Sequence, residues 1–456
     1  MSYWDNHSVL ESRGDYQDDT ILESRRGKDG GVAPASLLYQ NQSSLPLLPV
    51  PTLADTIDRF LPTALPLAAT EDEATSLQRD CQDFLTDALP LQQRLLERAE
   101  GLKTTSWLQQ WWNTLGYLQV RDPVVINVSY FFQIPNDTSL VIVNNNNSGG
   151  DGGDASIQRA AAAICATRAY AQRVLDGTHP PDTIGKQQTP LCSASYKYLF
   201  HACRIPQSPQ DTYRIYNPQQ HPHAIVSYQN QFYKVPLHEQ GRPLTVQEME
   251  TCLRGIVSHN RRNTQGQSGG AAPWLELGYL TSSNRDDWAK ARQELLQFGG
   301  QAMEDTLTTI ESGLLLLCLD DDNDDNGPES HRQRALRYWH GNASGNRWYD
   351  KSIQLVVSNN GQLGYVGEHS MMDGMPTLGL VSYLQQETYQ KQLQEQQDKE
   401  QEGPLLIEHE VTNVLQEVMM SLSVDETKVM EGLVDKGEML RFVVPSLSRQ
   451  QSPLVV

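Results

Sequence analysis

A chain of 456 residues, 38% hydrophobic and 20% charged, has material for two to four domains and a sizeable core, and it reads as a globular protein. Its formal net charge of −20 opposes nucleic-acid backbones and anionic membranes as partners, although a local basic pocket for a small ligand is compatible with it. No apolar run approaches the ~20 residues of a membrane span, so an integral membrane protein is not expected.

Residues 1–35 are polar and read as a disordered leader, with Leu-Glu-Ser-Arg starting at both Leu10 and Leu22. The acidic opening argues against an ordinary mitochondrial presequence, and the final Leu-Val-Val is not a peroxisomal tripeptide. Six scattered cysteines, none in a CxxC pair, read as reduced intracellular thiols. The compartment stays open among mitochondrion, peroxisome and cytoplasm.

Residues 45–51 (LPLLPVP) are an extended segment, because each proline fixes φ and biases its predecessor away from helix. Helical periodicity runs over 53–102. Residues 122–134 (DPVVINVSYFFQI) have strand chemistry, continued at 140–143 and followed by an Asn/Gly-rich loop. A helical stripe then includes Ile157, Ala161, Ile164, Val174 and Leu175, with Asp154 or Ser156 as N-cap and Gly177 ending it. Residues 224–235 alternate around Gln229-Asn230 as a hairpin, and 314–319 are short enough for one buried strand. Residues 352–369 give the sharpest signal, two strands flanking Asn360-Gly361 and delivering His369 at the end of the second. A Gln/Glu-rich helical run over 385–403 reads as a solvated linker, and the pattern weakens over 404–456. Strands interspersed with helices make an α/β protein.

Several candidate sites fail on their chemistry. Asp322, Asp324, Asn326 and Gly327 fit the first half of a calcium loop, but its twelfth position is Gln333 rather than Glu, so a solvated loop is expected. His221 and His223 have no carboxylate or cysteine at ligand spacing and read as a surface loop. No phosphate loop, no GxGxxG and no GxSxG elbow is present. His369 differs, standing in Gly-Glu-His-Ser-Met-Met-Asp-Gly-Met-Pro directly after a strand. An imidazole there can take a proton from a hydroxyl or thiol attacking a thioester. Asp373 can bond the other ring nitrogen, whereas Glu368 points to the opposite strand face.

That GEHSMMDG string resembles the active-site motif of the carnitine and choline acyltransferases, and its HxxxDG core is similar to that of chloramphenicol acetyltransferase and the dihydrolipoyl transacylases. The segment Asn346 to Ser352 (NRWYDKS) and the LPLLPVP run resemble two further family signatures, with Arg121-Asp122-Pro123, Cys203-Arg204-Ile205-Pro206 and Asn284-Arg285 between them in family order. The resemblance covers about 36–384, taken as the catalytic-histidine region. It implies a mixed β-sheet flanked by helices, the chloramphenicol acetyltransferase-like fold of CoA-dependent acyltransferases. It also implies acyl transfer between acyl-CoA and carnitine with His369 as general base, no acyl-enzyme, and CoA as cosubstrate rather than tightly bound cofactor. Asp373 matches a position where many members have Glu, and Trp112 and Tyr117 match aromatics lying around carnitine, where cation–π attraction suits a trimethylammonium. The wording is most like carnitine acetyltransferases, favouring acetyl or short acyl groups, with choline or longer chains as alternatives. The family's second half, with its CoA-phosphate residues, Ser-Thr-Ser segment and carboxylate-reading Arg, finds no match after Thr377. That leaves a catalytically silent fragment or interaction protein as the other expectation, associating through an exposed inter-half surface.

Overall fold

The computed structural model describes residues 36–102, 106–134, 153–265, 276–320, 331–339, 344–398 and 412–413. The polar leader, the 140–143 strand, the Asn/Gly loop up to 152, the acidic run after Asp320 and nearly all of 404–456 lie outside the described residues.

The helical stretch after LPLLPVP divides into α1 (Leu53–Ala64), α2 (Glu71–Asp87) and α3 (Leu89–Gly101). Thr52 caps α1 by accepting the Asp55 N–H at 3.0 Å, and Thr70 caps α2 by accepting that of Glu73 at 3.2 Å. Glu73 reaches back to the Ala69 N–H at 2.7 Å, close to a capping box. These three helices bury only Ile57 and Cys81, while Phe60, Phe84, Leu89, Leu91 and Leu96 stay exposed. A short α4 (Gln109–Asn113) runs into one π turn, Thr114–Leu118.

Residues 122–134 are not strand throughout. Val124–Asn127 forms one helical turn behind Pro123, whose fixed φ starts it, and Val124 and Val125 bury against Tyr349. The strand proper is β1 (Ser129–Ile134). The next helix, α5 (Gly153–Leu175), begins ahead of both expected caps, so Ser156 is buried within its first turn. Gly177 follows its end at φ +66°, as a terminating glycine should.

The expected hairpin is β2 (His223–Tyr228) and β3 (Gln231–Pro236), with Gln229 and Asn230 both at positive φ. His223 therefore sits in no surface loop; it opens β2, is buried, and its Nε2 lies 2.9 Å from the Thr309 carbonyl oxygen. The helices α6 (Val246–Gln265) and α7 (Arg285–Ser312, broken at Gly300) lead to β4 (Leu316–Asp320), then α8 (His331–Trp339), β5 (Ile353–Ser358) and β6 (Leu363–Glu368). The turn between the last two holds Gly361 at φ +75°. Helix α9 (Gly374–Asp398) crosses residue 385 without a break.

One mixed sheet runs in the order β1-β6-β5-β4-β2-β3, extended by β7 (Thr412–Asn413). β4 is parallel to both neighbours and buried on both faces, which fits its run of leucines; the other pairings are antiparallel. Leu355, Val357, Leu363 and Tyr365 face a core shared with α5, α6 and α9. Val356 and Val366 face the opposite core with Trp288, Leu295 and Tyr338 from α7 and α8. The molecule is a mixed sheet between two helical layers. None of the six cysteines is in a disulfide, and no described helix is long and apolar enough to cross a membrane.

Candidate active site

Strand alternation decides what β6 presents at its end. Ser129 of β1 stands opposite Glu368, and the next backbone N–H, that of His369, donates to the Val128 carbonyl at 3.1 Å. The imidazole is half-buried, and its Nδ1 lies 2.6 Å from the Met372 carbonyl oxygen. A carbonyl only accepts, so Nδ1 is the nitrogen that carries the proton, and in the neutral ring Nε2 is the one with the lone pair. The ring is thus held as the tautomer a general base needs.

Asp373 does not make the contact expected of it. Its side chain is exposed, and Oδ1 accepts the Gly374 N–H at 2.7 Å, at the start of α9. That contact is local to the start of the helix; the backbone carbonyl of Met372, not the carboxylate, meets the imidazole. Met371 and Met372 are buried in the core shared with α5 and α9.

Aromatic side chains from two distant segments converge on the histidine. The Tyr130 ring of β1 packs edge-on at 5.1 Å between centroids, and the Tyr117 ring of the π turn lies at 5.9 Å. Trp112 packs edge-on against Tyr117 at 6.5 Å and is 58% exposed. The structure thus links Trp112, Tyr117 and His369 through successive ring contacts. The extra residue of the π turn, closed by the Gln119 N–H on the Thr114 carbonyl at 2.9 Å, aims Tyr117 inward; such turns concentrate at functional sites. Tyr130 and Thr377 escaped the sequence reading. Their hydroxyls lie 2.6 Å apart, and burial pushes the Tyr130 phenol up to about 12, so it stays neutral. The strand chemistry of 122–134, with its aromatic run 130–132, was the available signal for Tyr130; nothing local indicated its neighbour.

Behind these rings lies a buried ionic cluster. Asp211 receives Arg204 Nε at 2.7 Å, Arg285 Nε at 2.6 Å and Arg121 Nη1 at 3.2 Å. Burial alone would raise the Asp211 carboxyl, but the three guanidinium groups outweigh it and hold it below the usual range. Arg285 also pairs with Asp350 at 2.7 Å, where burial prevails and raises the carboxyl to about 6. Among the described residues no group of His, Cys, Asp and Glu is arranged to hold a metal ion.

A sequence profile of the Choline/Carnitine o-acyltransferase family matches residues 48–434. The chain belongs to this family. The match continues past Thr377, where the motif resemblance fades, through the Gln/Glu-rich run and into the residues expected to be a weak tail. The mitochondrial carnitine O-acetyltransferase of Saccharomyces cerevisiae is 31% identical over 401 residues, covering 84% of this chain and 56% of that protein. Human carnitine O-acetyltransferase is 28% identical, covering 79% of this chain and 55% of that protein. Human choline O-acetyltransferase is 32% identical, covering 80% and 46% respectively. The chain therefore spans about half the length of these relatives.

Proposed function

We propose that this chain, completed by the part of the family's length it does not span, transfers an acetyl or short acyl group between CoA and carnitine. The completing part belongs either to a longer chain or to another polypeptide. The observation that carries this reading is the imidazole of His369, whose Nδ1 lies at hydrogen-bond distance from the Met372 carbonyl, leaving Nε2 as the other ring nitrogen, while the Tyr117 ring packs against the imidazole. Nε2 takes the proton from the carnitine hydroxyl as its oxygen attacks the thioester carbonyl. The tetrahedral intermediate then collapses, breaking the C–S bond, and the departing thiolate takes the proton from the imidazolium. No acyl-enzyme forms, CoA is a cosubstrate, and no tightly bound cofactor is required. Trp112 and Tyr117 offer π faces to the trimethylammonium. Asp373 contributes locally, at the start of the helix that follows Met372. Choline is the second acceptor to test, because the choline relative is as similar as the carnitine ones.

Thiol release from acetyl-CoA by the purified chain, with L-carnitine, with choline and with neither, tests the reading. Carnitine-dependent release should fall by about 10²-fold or more in His369→Ala, the scale of a lost general base. Unchanged turnover in that variant would remove His369 from the mechanism. Absence of release from the wild type would favour a silent, interacting form of the chain.

A further inference from the structure

Arg204 is fully buried and gives its guanidinium nitrogens to three separate segments. Nε binds Asp211 at 2.7 Å, Nη1 binds Glu368 Oε1 at 3.3 Å, and Nη2 donates to the Tyr117 carbonyl at 2.9 Å. Its own backbone N–H donates to the Asp350 carbonyl at 2.9 Å, so the side chain departs from a fixed point. Glu368 is equally buried and continues the chain of contacts. Its carboxylate accepts the Ser370 N–H, 3.2 Å from each oxygen, and the Ser370 hydroxyl at 2.7 Å. The carboxylate thus clasps the residues on either side of His369 from behind, while the imidazole projects to the other strand face.

We propose that Arg204 and Glu368 form the positioning unit of His369, fixing its backbone and its distance to the Tyr117 segment, the role that HxxxDG spacing had suggested for Asp373. The proposal rests on the reading of His369 as general base. One guanidinium spans the gap between the π turn and the end of β6, so each side of the site takes its place from the same planar group. Lysine carries the charge but lacks the fork: its donors radiate from one nitrogen and cannot serve acceptors set around three separate nitrogens. The imidazole depends on this clasp because the Nδ1 bond goes to a backbone carbonyl three residues on. A small shift of 368–370 lengthens that bond, and the proton is then free to move to Nε2. A ring protonated there has no lone pair facing the substrate.

Two readouts test this on the full chain. ¹⁵N-histidine NMR, with the His369 signals identified by their loss in His369→Gln, reports which ring nitrogen carries the proton. The wild type should show Nδ1–H alone, whereas Glu368→Gln and Arg204→Lys should show a mixture of the two tautomers. Ser370→Ala removes one hydroxyl contact to the clasp without stranding a charge; it should fold like the wild type and shift the tautomer ratio in the same direction. Carnitine-dependent thiol release should fall about tenfold or more in kcat in Glu368→Gln, with KM for carnitine within about twofold, and Glu368→Asp should recover part of it. An unchanged His369 tautomer in folded Glu368→Gln and Ser370→Ala would overturn the proposal, whatever the activity. Loss of the base assignment instead requires an active His369→Ala variant, so the two failures are separate.

Discussion

Asp373 illustrates how one carboxylate can serve a site it does not touch. Its acceptor lies at the start of α9, and an asparagine there keeps the acceptor while losing the charge. Asp373→Asn should therefore retain acyl transfer within a few-fold of wild type. Asp373→Ala should lose about 1 kcal/mol of stability, the usual value of a helix-start contact, and a larger share of the rate. Thermal melts and thiol-release rates on the pair check this, and equal rates in both would mean that the turn needs no help from the carboxylate. The sequence disclosed His369 because a short motif after a strand is local. It could not disclose Arg204 with Glu368, 164 residues apart, or Tyr130 with Thr377, 247 apart, because those contacts exist only once the sheet has formed. The HxxxDG spacing was misleading for a simple reason: a four-residue offset places two residues on one turn but does not choose between side chain and backbone as the partner.

At the scale of elements, the hairpin of β5 and β6 fixes where His369 emerges. Gly361 holds its turn at φ +75°, and a Cβ added there meets nothing closer than the Ala155 carbonyl oxygen at 3.5 Å. The cost of Gly361→Ala is thus conformational alone, and chemical denaturation should register a loss of about 1–2 kcal/mol. No change in midpoint would mean that the turn relaxes to another type. Both hairpins were legible from alternation around Gln229-Asn230 and Asn360-Gly361, because turn chemistry and strand period agree there. The segment 122–134 was only half legible: Val-Val-Ile has strand propensity, but Pro123 started a helical turn whose valines found burial against Tyr349. The π turn Thr114–Leu118 had no signature in the sequence reading at all.

For the whole molecule, stability should depend steeply on acid. Burial lowers His201 and His223 to about 3, and each bonds a carbonyl near the end of α7, that of Ser312 and of Thr309. Their folded values lie below the unfolded value of about 6.5, so the unfolded chain binds protons first, and stability falls as pH drops below about 6.5. Each contributes about 2 kcal/mol of loss between pH 7 and pH 5. Asp350, raised by burial to about 6, acts in the opposite sense over roughly pH 4–6 and offsets part of it. His201→Asn suits the positive φ of 51° at this position and should flatten the pH dependence of the denaturation midpoint. An equally steep profile in that variant would place the acid sensitivity elsewhere. The layered α/β arrangement was legible from the alternation of periods; the thin cover over α1 to α3, with Phe60, Phe84 and Leu91 exposed, was not, since their apolar stripe reads like any core-facing one.

The pairing of β1 with β6 also sets a timetable. Ser129 waits for Glu368, 239 residues later in the chain. At the ~5–20 residues per second of protein synthesis, that interval lasts roughly 12–50 s. Throughout it, β1 and the π turn have left the ribosome without the strand that gives them a purpose. The surroundings of His369 are therefore a late product of translation, and its early aromatics stand without their partner strand for most of the chain's synthesis.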